Sequence, residues 1–249
     1  MLFSRIRALG ISFDVFPVSN MPREPHRYRD ATGSATTVFL LPSIECDARI
    51  VMLEEDGDYV ADRIAASVAA AVFLFAVRGL PLDEISVETD KGREDIEIAE
   101  NGKKYYIRLP KCKLLCSNET KNIQKTEITF SDILVFDRRV RTVICDDVAF
   151  FLRENMASLI LDDIEGCADV VTAASLSDNV LQIECYSRAL CESDHIYSAI
   201  SAHLIFPNST DLPVSFHGVE LELVRKNGST FLASSPPRPM TFIAPDIPI

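Results

Sequence analysis

The chain has 249 residues, 47% of them hydrophobic and 25% charged, with a mean hydropathy of +0.12. That is enough chain to bury a large core, as one domain or as two lobes of roughly 120 residues each. A net charge of −12 and a pI of about 4.8 exclude nucleic acid as the main partner, because phosphate recognition needs a clustered excess of Lys and Arg. The basic run "DRRVR" at 137–141 is too short to change this and is expected to be a solvated face.

The first eighteen residues, "MLFSRIRALGISFDVFPV", alternate like a strand and carry neither the apolar core nor the small-residue cleavage site of a secretory leader. Strands are expected at 13–18, 36–41 and 48–53, and the polar stretch 20–34 reads as a loop. Next comes "DGDYVADRIAASVAAAVFLFAVRGL" at 56–80, whose apolar run 64–77 is closed by Arg63 and Arg78. Fourteen helical residues rise about 21 Å against the ~30 Å of a bilayer core. The run is therefore expected to be a buried helix rather than a membrane span. Its alanines (Ala65, Ala66, Ala69, Ala70, Ala71) let neighbouring backbones approach closely.

Short strands follow: "ISVET", "DIEIA", "KKYYIRLP", "EITFSDILVF" and "TVICDD". A more polar helical segment, "VAFFLRENMASLILDD", occupies the middle of the chain. Strands return with "DVVTAA" and "VLQIECYS", and a second apolar helix spans 194–206 until Pro207 stops it. The two halves echo each other. "GREDIEIAENGKKYYIRLP" follows the first helix and "GVELELVRKNGSTFLASSP" the second, each with Asn-Gly at the same offset from its opening glycine. Asn-Gly between alternating strands signals a hairpin, because both residues tolerate positive φ. Two helix-then-hairpin units suggest a duplicated lobe, each a curved sheet wrapped around one apolar helix.

The seven cysteines (Cys46, Cys112, Cys116, Cys145, Cys167, Cys185, Cys191) are odd in number and irregularly spaced, and they form no zinc pattern. Free thiols in a reducing, cytoplasmic compartment are expected. "CKLLC" at 112–116 is a possible thiol pair, with inert thiols the plainer expectation.

This organisation resembles the diaminopimelate epimerase superfamily. "ALGISFDVF" resembles its opening Gly-Leu-Gly-Asn-Asp-Phe segment, and 56–80 resembles its Asp-Gly…Cys-Gly-Asn-Gly…Arg-Gly-Leu segment. "TVICDDV" is similar to the strand after its Gly-Asn-Pro-His, "CESDHIYSAISAHLIF" falls at its Ala-Cys-Gly-Thr-Gly, and "LPVSFHGVELELVRKNGSTFLASSPPRPMTFIAPDI" is similar to its closing strands. The resemblance implies an α/β (α+β) fold of two pseudo-symmetric lobes. The first is expected over 1–130 with its central helix at 63–78, the second over 131–249 with its helix at 194–206, and the tail returning to the first lobe. It further implies a cofactor-independent isomerase ancestry, with a substrate site in the cleft between the lobes.

The family's epimerases use two cysteines on opposite faces of an α-carbon, because inversion needs a base and an acid across the stereocentre. Here the first cysteine's place falls at Arg63 or Ile64 and the second's at Asp194 or His195; the opening Asn becomes Ile11, and the Asn before Pro-His falls near Arg138. Two-thiol epimerase chemistry is therefore not expected. What remains is either a non-catalytic homologue or an isomerase with a single base. The candidate acid/base residues are Asp194 and His195, with Ser193 and Arg63 as candidate substrate-binding residues.

Each candidate has a plainer reading beside it. Ser193 or Asp194 caps the second helix, with His195 half exposed in its first turn. Arg63 either takes a carboxylate or pairs with Asp58, Asp62 or Asp194. His203 is expected in the core, and His26 and His217 at the surface. The expected partners are a small carboxylate or amino-acid ligand, with a homodimer or partner subunit also open, and neither nucleic acid nor membrane.

Overall fold

A computed structural model of the chain describes residues 2–33, 36–53, 60–123, 126–146, 148, 156–163, 168–177, 180–187, 193–206, 213–216, 219–227, 229–236 and 239–243. The chain divides into two compact units. The first comprises 1–108 and 231–249, the second 109–230.

In the first unit the strands run β16 (Met240–Ile243), β1 (Leu2–Ala8), β2 (Ile11–Pro17), β3 (Thr36–Leu41), β4 (Ala48–Leu53), β5 (Glu84–Thr89), β6 (Gly92–Ala99), β7 (Lys104–Arg108), and then residues 231–234 of β15 (Ser229–Ser234). In the second they run β14 (Val219–Lys226), β13 (Pro213–Phe216), β12 (Val180–Ser187), β11 (Val170–Ser177), β10 (Arg138–Ile144), β9 (Thr126–Val135), β8 (Lys113–Ile123). The pairing repeats. β2 pairs parallel with β3 and β4 with β5, as β10 does with β11 and β12 with β13, while the neighbours between them are antiparallel. A parallel pair needs a crossover connection, and helices lie in these connections: α1 (His26–Thr32) and α2 (Val60–Val72) in the first unit, α3 (Met156–Asp163) and α4 (Asp194–Ile205) in the second. The fold is thus a mixed α/β duplication, as the echoing halves of the sequence suggest.

The division does not fall near 130–140. Strands β8 and β9 pair with each other and β9 with β10, which keeps 113–135 in the second unit. At the far end, β15 pairs with β7 and β16 with β1, so residues 231–243 lie in the first.

Helix α2 is the core of its unit. Twelve of its thirteen residues are buried, and it packs on β1, β2, β4, β5, β6 and β7. It continues as a π-turn over Phe73–Val77, so the whole apolar helix is eighteen residues, longer than the fourteen-residue run. Length and composition alone would let it cross a membrane; 78% of it is buried inside the unit, which makes it a core helix. In the second unit α4 lies against β9 to β14, with its residues 194–203 buried. Helix α3 covers a separate cluster of Phe130, Val143, Val171 and Ala173 with Met156, Ala157 and Ile160. The predicted helix over 148–163 is thus described from Met156 onward; 149–155 lie outside the described residues.

Part of the expected loop 20–34 is helix α1. Pro25 sits at its start and Gly33 ends it in the left-handed region, its N–H bonded to the Arg29 carbonyl at 2.9 Å. Tyr28 anchors it, with its ring edge-on to Phe16 and Phe39, both centroids 5.2 Å away. The Asn101-Gly102 turn has φ of 56° and 82°, as the hairpin expectation requires; Asn227 also has positive φ, and Gly228 lies outside the described residues.

Gly102 carries a second constraint. A Cβ there would stand 2.1 Å from Cε1 of Phe75, whereas at Gly33 it would meet nothing within 4 Å. Gly33→Ala should cost about 1 kcal/mol of left-handed strain, and Gly102→Ala that plus about 1–3 kcal/mol of overpacking. Urea unfolding of the two variants measures the difference; equal costs would contradict the Phe75 contact.

Candidate functional site

The start of α4 gathers the second unit's candidate residues. A carboxylate entering a buried helix must find partners or lose its charge. Asp194 finds two. Arg138 Nη1 donates to its Oδ1 and the Ser187 hydroxyl to its Oδ2, all three residues being buried. Arg138 comes from the first position of β10 and Ser187 from the last of β12, so the two strands flanking β11 converge on the helix start. Ser193 is fully buried at the N-cap position and makes no side-chain cap bond; its carbonyl receives the Ile196 N–H at 2.9 Å. The expected hydroxyl cap is therefore absent, and Asp194 lies inside the helix bonded to Arg138 rather than capping it. His195 is 6% exposed, not half exposed, because the whole first turn is buried.

The basic run at 137–141 is not a solvated face. Arg138 is buried, and Arg141 is 1% exposed with Nε and Nη2 each donating to Asp132 at 2.8 Å. Arg139 donates to Asp132 as well. Arg138 and Arg141 are buried, so each must meet a carboxylate, whereas the Arg139 side chain is 32% exposed and shares Asp132 from the rim. Tyr197 closes the arrangement. Its hydroxyl donates to Asp137 Oδ1 at 2.9 Å and Arg138 stands 5.3 Å over its ring. Phe136 meets the same ring edge-on at 5.8 Å from a backbone with φ of 57°, an uncommon setting for a bulky residue. Deeper in the helix, the Thr172 hydroxyl donates to Ser198 and Thr142 shares a hydrogen bond with Ser201, both at 2.7 Å. His203 is buried, as expected of a core histidine, and His26 is exposed at the start of α1. His217 lies outside the described residues.

Three described cysteines, Cys112, Cys116 and Cys185, are shifted away from the thiolate. Cys191, the sequence neighbour of the site, lies outside the described residues. Cys185, on β12, does approach it, but burial pushes its thiol up to about 12 and the nearby Asp194 carboxylate adds to the rise. Burial also pushes Cys112 up to about 11 and raises Cys116. A catalytic thiolate needs the opposite shift.

In the first unit Arg63 is the fourth residue of α2, a turn further in than the apolar run suggests. It is buried, and its Nε stands 3.6 Å from Oε1 of Glu94, delivered by β6 to the helix's flank. Glu94 is a partner the sequence reading missed; of the three acids it proposed, Asp58 lies outside the described residues, Asp62 is buried in the first turn, and Asp194 is bonded to Arg138. Burial raises the Glu94 carboxyl above its ordinary range, opposed by the Ser67 hydroxyl and by Arg63. The two helices open alike, Asp62-Arg63-Ile64 and Asp194-His195-Ile196. Among the described residues no cluster of His, Cys, Asp and Glu could hold a metal ion.

The two units have the diaminopimelate epimerase-like fold. The chain superimposes on a phenazine biosynthesis protein of the PhzF family from Enterococcus faecalis with a TM-score of 0.64 at 15% identity, over 97% of this chain and 98% of that one. A PhzF-family phenazine biosynthesis protein from Bacillus anthracis gives 0.62 at 13% identity, over 98% and 99%. A hydroxyproline epimerase from Agrobacterium vitis, with bound trans-4-hydroxy-L-proline, gives 0.55 at 10% identity, over 97% and 92%. No protein-family model matches the sequence, and no curated protein matches it. At these identities the likeness is one of fold.

Two outcomes check this geometry. Arg138→Ala leaves the Asp194 charge buried and should cost about 3–5 kcal/mol, while Arg138→Met with Asp194→Leu, replacing the pair by apolar bulk, should recover most of it. Urea titration reads both; a double variant no better than the single one would contradict the pairing. In the folded protein at neutral pH, iodoacetamide should label Cys112 and Cys185 far more slowly than in urea, as peptide mass spectrometry would show.

Proposed function

We propose that this chain is a non-catalytic homologue within the isomerase fold, binding a small carboxylic or amino acid without two-cysteine epimerase chemistry and without a cofactor. One observation carries the reading: both carboxylate oxygens of Asp194, one of the two residues expected at the second cysteine's place, accept hydrogen bonds, from Arg138 and Ser187. A base that removes an α-proton must aim a lone pair at the hydrogen on that carbon. Here Arg138 and Ser187 each occupy one side of the carboxylate and Asp194 is 4% exposed, which leaves a substrate little approach to it. In the first lobe the cysteine's expected place falls at Arg63 or Ile64, neither of which can serve as a base, and no cysteine lies between Cys46 and Cys112. The described cysteines Cys46, Cys112, Cys116 and Cys185 are free thiols, which fits a reducing cytoplasm.

A second reading draws on Asp194 and His195 lying side by side at the start of a buried helix. There Arg138 and Ser187 would orient Asp194 as the single base of an active isomerase acting on a small amino or carboxylic acid.

Deuterium incorporation at the α-carbon separates the two. The purified protein is incubated in deuterated water with diaminopimelate, L-proline, trans-4-hydroxy-L-proline and unsaturated carboxylic acids, and the products are read by proton NMR. We expect no incorporation above the protein-free control. Incorporation that Asp194→Asn abolishes would overturn the non-catalytic reading in favour of the single base. Incorporation abolished instead by thiol alkylation would restore a cysteine mechanism.

A further inference from the structure

We propose that Glu94 is an internal stand-in for a ligand carboxylate, so that a small carboxylic acid binds Arg63 only as Glu94 takes up a proton. The inference rests on the small-acid reading above and adds its regulation.

The geometry is that of one guanidinium already facing one carboxylate inside a sheet. Arg63 and Glu94 stand 3.6 Å apart, with their side chains 10% and 20% exposed, so solvent reaches the pair from the Glu94 side. A second carboxylate brought to Arg63 would lie within a few ångströms of the first. Two like charges that close, in a partly dry setting, cannot both stay ionised without strong mutual destabilisation. The surroundings favour protonation of Glu94. From α2, Arg63 and the Ser67 hydroxyl hold the carboxylate ionised, whereas burial and Asp90, in the turn between β5 and β6, push the other way. From β5 the register partner is Val87, which offers no charge. On β6 the exposed neighbours Arg93 and Asp95 pair with each other at 2.6 Å. Asp62, buried in the first turn of α2, adds a further acid to the same helix start.

The proton balance is explicit. The ligand arrives as a carboxylate and forms an ion pair with Arg63, Glu94 passes from carboxylate to carboxylic acid, and the proton comes from solvent. Binding therefore strengthens as pH falls until Glu94 is already protonated in the free protein, and levels off below that point. Replacing Glu94 by Gln keeps the shape, removes the competing charge and removes the proton uptake.

The test is calorimetric titration of acetate, pyruvate, L-proline and trans-4-hydroxy-L-proline at about pH 5.5 and about pH 7.5, in buffers of different ionisation enthalpy. Wild type, Glu94→Gln and Arg63→Met are compared, with circular dichroism confirming that each is folded and Glu94→Ala held as a second variant. We expect wild type to take up close to one proton per acid bound at the higher pH and clearly less at the lower. Glu94→Gln should take up none and bind about tenfold more tightly at the higher pH, the equivalent of one pH unit of proton linkage, and Arg63→Met should not bind. Binding by wild type without proton uptake, or with the same pH dependence in Glu94→Gln, would overturn this inference and leave the small-acid reading standing. Binding of none of the four acids to wild type or Glu94→Gln at either pH would overturn both.

Discussion

A carboxylate at the start of a buried helix has to be neutralised, and the way Asp194 achieves this organises the second unit. Its partner Arg138 opens β10, so the hairpin between β9 and β10 must end where it does, with Phe136 held at positive φ. Asp137 and Tyr197 tie that turn back onto the helix. Further along β10, Arg141 and Arg139 share Asp132 from β9. Three arginines within four residues thus serve internal carboxylates, Arg141 from the position directly opposite Asp132 in the ladder. Such pairs add little net stability compared with apolar packing, but losing one partner is costly, so they specify a single arrangement.

The two units solve the same packing problem with different chemistry. Helix α2 meets its sheet through alanines and branched apolar residues, with Arg63 and Glu94 near its start. Helix α4 is just as buried but carries Asp194, His195, Ser198, Ser201 and His203, and the sheet answers with Thr142, Thr172 and Ser187. The strand pairing is the same in both units, while the side chains between helix and sheet differ in matched sets.

Much of this was legible in the residues. The apolar run of α2, the strand alternation and the Asn101-Gly102 turn follow from hydrophobic periodicity and backbone sterics, which are local. What stayed hidden was long-range. "DRRVR" looks solvated because charge usually is; its burial depends on Asp132 and Asp194, the latter 56 residues from Arg138. Glu94 looks like any alternating strand acid until β6 is laid beside α2. The short helix α1 was masked by its polar composition, and only Pro25 and Gly33 mark its ends. The boundary between units was misplaced because nothing in the sequence of β8 says that it pairs with β9. The correspondence of Arg138 with the family's Asn before Pro-His was the one sequence signal that pointed toward the site's true cation.

The central claim is that Asp194 is the structural partner of Arg138 and not a base in waiting. Nitrogen NMR of the Arg138 side chain tests it most directly, because a guanidinium locked on a carboxylate rotates slowly about its Cζ–Nε bond and its Nη–H protons exchange slowly with water. The account predicts resolved Nη signals for Arg138 that collapse in Asp194→Asn. A freely rotating, rapidly exchanging Arg138 guanidinium in the wild-type protein would contradict it.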